Sequence, residues 1–161
     1  MSKTTRMVSI DSSTNKTGMA LYINGELKDY GLIDLSSSSL DIEPRIFEMG
    51  GKMLKALNIW KPEVVYIEQP QGHGRNVSMV RKLSELIGFA KAWAYLNDAY
   101  IEEVPPSVWR KYLGIEQGRK TRNELKEASI NAVKDIYGIN VIDDIADAIN
   151  IGSAMLIKYG E

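Results

Sequence analysis

Asn24-Gly25 lies between two apolar, β-prone runs, 18–23 and 26–33, and this dipeptide dictates how the first part of the chain must fold. A two-residue Asn-Gly loop takes positive φ at both central positions, so the runs it joins pair antiparallel. A further run, Met7 to Asp11, precedes them, with Val8 and Ile10 apolar and a carboxylate at its end. After Ser36–Ser39, a polar loop, the period changes. Pro44 to Leu57 places Ile46, Met49, Met53 and Leu57 on one helical face. Val64-Val65-Tyr66-Ile67 is a short β-rich run ending in Glu68, and a glycine-rich polar loop, 69–76, follows it. Val77 to Leu96 returns to helical spacing, with Val80, Leu83, Ile87 and Ala90 as its stripe, and Tyr100 to Val104 gives a fifth strand. Beyond Pro105-Pro106, Ser107 is expected to cap a short helix over 108–113. Two more helices, 122–137 and 144–158, are separated by Gly138. The order predicts an α/β fold: a five-stranded mixed sheet, three strands antiparallel by hairpin and two parallel, with helices on both faces. The 161 residues show no internal repeat, so one domain over 1–161 is expected.

Composition narrows the chemistry. There is no cysteine and a single histidine, His73, so thiolate sites and paired-histidine sites are excluded. A metal would have to be held mainly by carboxylate oxygens, which favours magnesium or manganese over zinc. At 44% hydrophobic and 25% charged, the chain has an ordinary globular balance. The opening MSKTTRMVSID has no apolar run of signal-peptide length and no later stretch would span a bilayer, so a cytoplasmic location is expected, with no membrane partner. The net charge of -1 averages over unlike regions. From Trp109 to Lys126 six bases (Arg110, Lys111, Arg119, Lys120, Arg122 and Lys126) face two acids, Glu116 and Glu124. A second basic stretch, 72–91, carries Arg75, Arg81, Lys82 and Lys91 against Glu85 alone. Such runs are either solvated helix faces or phosphate-binding surfaces.

The acids fall in places that resist a purely structural account. Asp11 and Glu68 each close a strand, and strand ends are where open α/β sheets bind ligands. In Asp143-Asp144-Ile145-Ala146-Asp147, the spacings of three and four residues put like charges on one helix face. Asp143 and Asp144 suit the positive end of a helix dipole, but Asp147 lies deeper. A cation would remove the conflict. Acids from distant parts of the chain, gathered at one sheet edge, would hold two magnesium ions about 3.5–4 Å apart, a pair suited to phosphodiester hydrolysis. No organic cofactor is called for.

Ser9-Ile10-Asp11-Ser12-Ser13 with Thr17-Gly18 resembles the first-strand motif of the RuvC family of Holliday junction resolvases. Val65-Tyr66-Ile67-Glu68-Gln69 is similar to its second motif, and Asp144-Ile145-Ala146-Asp147-Ala148 to its last. The ordered set spans nearly the whole chain. The resemblance implies a ribonuclease H-like fold and a homodimer that cuts branched DNA, four-way junctions above all, leaving 5′-phosphate and 3′-hydroxyl ends. It implies that Asp11, Glu68, Asp144 and Asp147 are catalytic carboxylates binding two Mg2+ ions, with Mn2+ a substitute and Asp143 an additional acid near them. Lys120 falls where the family has a phosphate-facing base, which implies a catalytic residue that orients or neutralises the scissile phosphate. Arg75, Arg81, Lys82, Arg110, Lys111, Arg119 and Arg122 are further candidates for the DNA backbone. Trp109 is either a core anchor or a stacking surface for DNA. Gly88 serves either a dimer contact or packing of its helix on the sheet, and His73 either contacts phosphate or is solvated.

The chain departs from many bacterial members just after the Glu-Gln pair, where Pro70-Gln71 stands in place of an aromatic wedge. It is also short beyond the last motif, as in the phage-type branch. Three rival readings remain. Asp11-Ser12-Ser13-Thr14 to Gly18 also resembles the first phosphate loop of sugar kinases and actin-like ATPases, though those enclose nucleotide between two domains. A non-catalytic module binding branched DNA would keep the basic stretch without needing the acids. An enzyme of the same fold acting on RNA would use the same metal chemistry.

Overall fold

The computed structural model describes residues 4–71 and 77–160. β1 (Arg6–Asp11), β2 (Lys16–Ile23) and β3 (Glu26–Asp34) form the expected antiparallel meander. The turn between the last two is as predicted, with φ of 52° at Asn24 and 80° at Gly25. α1 (Ile42–Trp60), β4 (Val64–Glu68), α2 (Val77–Leu96) and β5 (Tyr100–Val104) follow, and both later strands run parallel to β1. The sheet order is β3-β2-β1-β4-β5. α3 (Pro106–Tyr112), α4 (Arg122–Tyr137) and α5 (Asp143–Lys158) complete the described elements.

Each sheet face is covered, and strand alternation shows how. Val8, Ile10, Met19, Leu21, Val65 and Ile67 point to one side, where they pack with Ile46, Met49, Met53 and Leu57 of α1 and with Leu86, Ile87, Ala90 and Trp93 of α2. Met7, Ala20, Tyr22, Tyr66 and Val104 point to the other, against Trp109, Val133 and the apolar face of α5. A sheet with both faces buried needs apolar residues at nearly every strand position, as found in β1, β2 and β4. The four residues predicted as the face of α1 are all at most 1% exposed.

Three local expectations are corrected. α1 begins at Ile42, since Pro44 falls in its first turn, where the missing N–H costs no hydrogen bond. Ser107 does not cap α3. The helix starts at Pro106, whose fixed φ suits the first helical position, and Pro105 is the capping residue, so Ser107 lies inside the first turn. Beyond its own stretch of helix, Gly88 has no atom of the described residues within 4 Å of where a Cβ would stand, so it does not serve packing on the sheet. The close approach on this face is at Gly50, where a Cβ would come within 2.6 Å of the Phe89 ring. Among the described residues, no helix is long and apolar enough to cross a membrane.

Candidate active site

Met7, Ser9 and Asp11 alternate with Val8 and Ile10, which directs Asp11 toward the α5 side of the sheet. Ile10 lies beside Ile67 in the parallel pair, so Asp11 and Glu68 come next on adjacent strands, at the same sheet edge and on the same face. α5 is seated across this face by two buried hydroxyls. Ser9 Oγ donates to the Ala148 carbonyl at 2.5 Å, and Tyr22 Oη donates to that of Ile149 at 2.6 Å. The first turn of α5 closes over the strand ends because Gly18, the partner of Asp11 in β2, has no side chain. A Cβ there would clash with the Asp144 carbonyl oxygen and stand 3.2 Å from the Ala148 Cβ.

A cavity of about 450 Å³ results, lined by Asp11, Asp143, Asp144 and Asp147 together with Lys16, Arg110, Arg122, Lys126 and Leu125. Glu68 stands behind Asp11, close enough for its charge to raise the Asp11 pKa. Its Oε2 accepts a 2.8 Å hydrogen bond from Trp109 Nε1. Trp109 is 1% exposed and therefore a core residue, with the Arg110 guanidinium 5.0 Å from its ring centre. Asp147 Oδ1 accepts from Ser129 Oγ at 2.5 Å. Lys126 Nζ lies 3.2 Å from Asp143 Oδ2, an ion pair on the pocket rim.

The electrostatics follow from crowding. Burial, then the charges of Glu68, Asp147, Asp144 and Asp143, hold the Asp11 carboxyl well above the usual carboxylate range. Burial pushes Glu68 up to about 7, against the opposing pull of the Trp109 hydrogen bond. Burial likewise raises Asp147 to about 6, opposed by Ser129 and Arg110. Asp144 is raised too, by burial and then by Asp143. Carboxylates that repel one another in a half-buried pocket are a standing electrostatic cost, and a divalent cation relieves it. Among the described residues, no three acids converge on one point closely enough to ligate an ion as they lie. The donor set is nonetheless all carboxylate, which fits Mg2+ or Mn2+ and unsuits softer metals.

The other sequence candidates are spread more widely. Arg110 and Arg122 line the acidic cavity. Lys120 and Arg119 line a separate hollow with Glu116, Gln117, Gly118 and Glu124. Lys111 lies in another, beside Ser107, Tyr112 and Lys158. Arg81 and Lys82 border a groove between the starts of α1 and α2. Arg75 and His73 fall outside the described residues. Sequence reasoning missed Lys16, Lys126 as a pocket residue, Ser129 and Asn150. Ser129 left one trace, as a polar residue one helical turn before the buried Val133 on the inner face of α4.

No family model and no curated protein matches the sequence. Solved structures do. RuvC of T. thermophilus in complex with a Holliday junction substrate is similar at a TM-score of 0.74 and 16% identity, over 97% of this chain and 95% of that one. The fowlpox virus resolvase, in complex with Holliday junction DNA, is similar at 0.65 and 18%, over 97% and 99%. The yeast mitochondrial Holliday junction resolvase is similar at 0.66 and 15%, over 98% and 80%. The chain therefore has the ribonuclease H-like fold of the RuvC-type resolvases.

Proposed function

We propose that residues 1–161 form one nuclease domain that resolves branched DNA, four-way junctions in particular, by divalent-metal-dependent hydrolysis. The observation that carries this reading is the gathering of acids from β1, β4 and α5 around one sheet edge, with four bases lining the same cavity. The fold shared with resolvases whose structures include junction DNA supports the choice of substrate. Asp11, Glu68, Asp144 and Asp147 would hold two Mg2+ ions, or Mn2+, with Asp143 beside them. Such ions supply an activated water and stabilise the leaving oxygen, giving 5′-phosphate and 3′-hydroxyl ends.

The protein's own groups have separate tasks. Arg110 opposes, without cancelling, the rise that burial imposes on the Glu68 and Asp147 pKa values. Lys16, Arg122 and Lys126, on the cavity wall, neutralise the scissile phosphate and its neighbours. Lys120, Arg119 and Lys111, which line separate hollows, together with Arg75, Arg81 and Lys82, bind the DNA backbone. The active form is a homodimer, which matches two symmetric cuts. α2 suits its interface, with exposed Val77 and Met79 and open space above Gly88.

Labelled four-way, three-way and linear duplex DNA, incubated with Mg2+ beside an Asp147→Asn control, tests the reading. Cleavage of branched DNA that the substitution abolishes is the expected outcome. Junction binding without cleavage in Mg2+ or Mn2+ would replace the enzyme with a non-catalytic binding module. Indifference to branched DNA would leave only the fold.

A further inference from the structure

Asp147 does not stand alone on α5. One helical turn on, Asn150 is 0% exposed, and Ser129 of α4, packed against both, is 1% exposed. Asn150 Nδ2 donates to the Ser129 carbonyl at 2.9 Å and to Ser129 Oγ at 2.8 Å. A carbonyl can only accept, so the first bond establishes which end of the amide faces Ser129. The amide NH2 therefore occupies a lone pair of Ser129 Oγ, and the serine's own proton must point elsewhere. Asp147 Oδ1, at 2.5 Å, receives it. Each link sets the direction of the next: carbonyl, amide, hydroxyl, carboxylate.

The arrangement is a poor way to stabilise a helix pair. Asn150 Oδ1 is buried with no hydrogen-bond partner among the described residues. An unpaired buried carbonyl is unfavourable, and an apolar side chain at 150 would avoid it. What the amide contributes is the orientation of one hydroxyl.

We infer that Ser129 and Asn150 are positioning residues that lock the Asp147 carboxylate, committing Oδ1 to the serine so that Oδ2 is the oxygen offered to a divalent cation. The inference rests on the nuclease reading above and deepens it. Locking one oxygen removes rotamers that the acid would otherwise explore. Asp143 and Asp144 repel Asp147 while Arg110 attracts it, and the Ser129 hydrogen bond fixes which of its oxygens turns toward the helix pair.

The test is direct Mn2+ binding to DNA-free protein, followed by electron paramagnetic resonance of the free ion, for the parent, Ser129→Ala and Ser129→Thr. Unfolding temperatures are recorded in EDTA alongside. Ser129→Ala is expected to weaken Mn2+ binding by about 10–100-fold, the usual cost of losing a hydrogen bond behind a metal ligand. Ser129→Thr, which keeps the hydroxyl, restores it. Junction cleavage by Ser129→Ala then needs correspondingly more Mn2+ for half its maximal rate. A merely structural hydroxyl would lower the unfolding temperature in EDTA and leave Mn2+ affinity unchanged, and that result overturns the inference while leaving the nuclease reading intact. Absence of Mn2+ binding and of cleavage in the parent sinks both. Should Ser129→Ala fail to fold, Ser129→Cys, similar in size with a much weaker donor, must show the same loss of affinity for the inference to stand.

Discussion

Trp109 serves two purposes with one side chain. Its ring fills the core beside α5 while Nε1, the one polar atom it has, ends on Glu68. Trp109→Phe keeps most of the packing and removes the donor, so Glu68 ionises less readily. Cleavage at pH 7 is expected to fall about tenfold or more, as for other groups behind metal ligands, with part of the loss recovered at pH 8.5. A pH–rate profile that merely scales down, with no shift toward alkaline pH, would count against this role. The acids of the site were legible in the sequence because strand ends and an Asp-x-x-Asp helix start carry their own spacing signal. Their neutral partners were not. Whether Ser129 meets Asp147, or Trp109 meets Glu68, depends on how α4 and α3 dock, and no local pattern encodes that.

At the level of elements, Gly18 decides how closely α5 can lie on β2. An alanine there would press its Cβ into backbone, the Asp144 carbonyl, which cannot swing aside as a side chain can. Gly18→Ala is expected to destabilise the fold by about 1–3 kcal/mol and to displace Asp144, so thermal unfolding and Mn2+ binding should both deteriorate. Gly88 is the contrasting case. Nothing in its own chain opposes a side chain at that position, and any ordinary residue favours helix over glycine. Gly88→Lys should therefore leave the unfolding temperature of the monomer undiminished yet dissociate the proposed dimer in sedimentation. A variant that sediments like the parent would remove α2 from the interface. Periodicity anticipated α1 and α2, and the expected helix starts failed where proline chemistry decides them. Pro44 looked like a start but sits within the first turn of α1, and Ser107 looked like a cap where a proline already initiates the helix.

On the scale of the whole molecule, the mutual repulsion and burial of the acids oppose folding. Glu68 titrates near 7 in the folded chain against an ordinary 4.5, and Asp147 near 6 against 3.8. The folded state thus holds more protons than the unfolded one between roughly pH 4 and 7, so stability is greatest below that window and declines as pH rises through it. In EDTA the unfolding temperature should drop across this range and level off above it. Mn2+ should raise it at pH 8 far more than at pH 5; a metal effect independent of pH would contradict the coupling. Junction binding should weaken steeply with salt as counterions are released, despite the net charge of -1, because four bases line the cavity that would hold the phosphate. The sheet and its two covered faces were legible throughout, since hairpin chemistry and period-two alternation are properties of short segments. The cavity was not, because its walls come from segments more than a hundred residues apart. That separation has a consequence for synthesis. Asp144 and Asp147 belong to α5, whose side chains also fill the core against β1 and β2. A nascent chain that has not yet released residues 143–158 has neither a complete acid cluster nor a finished core. The enzyme proposed here can first cut DNA only when the helix that completes its site has also completed its fold.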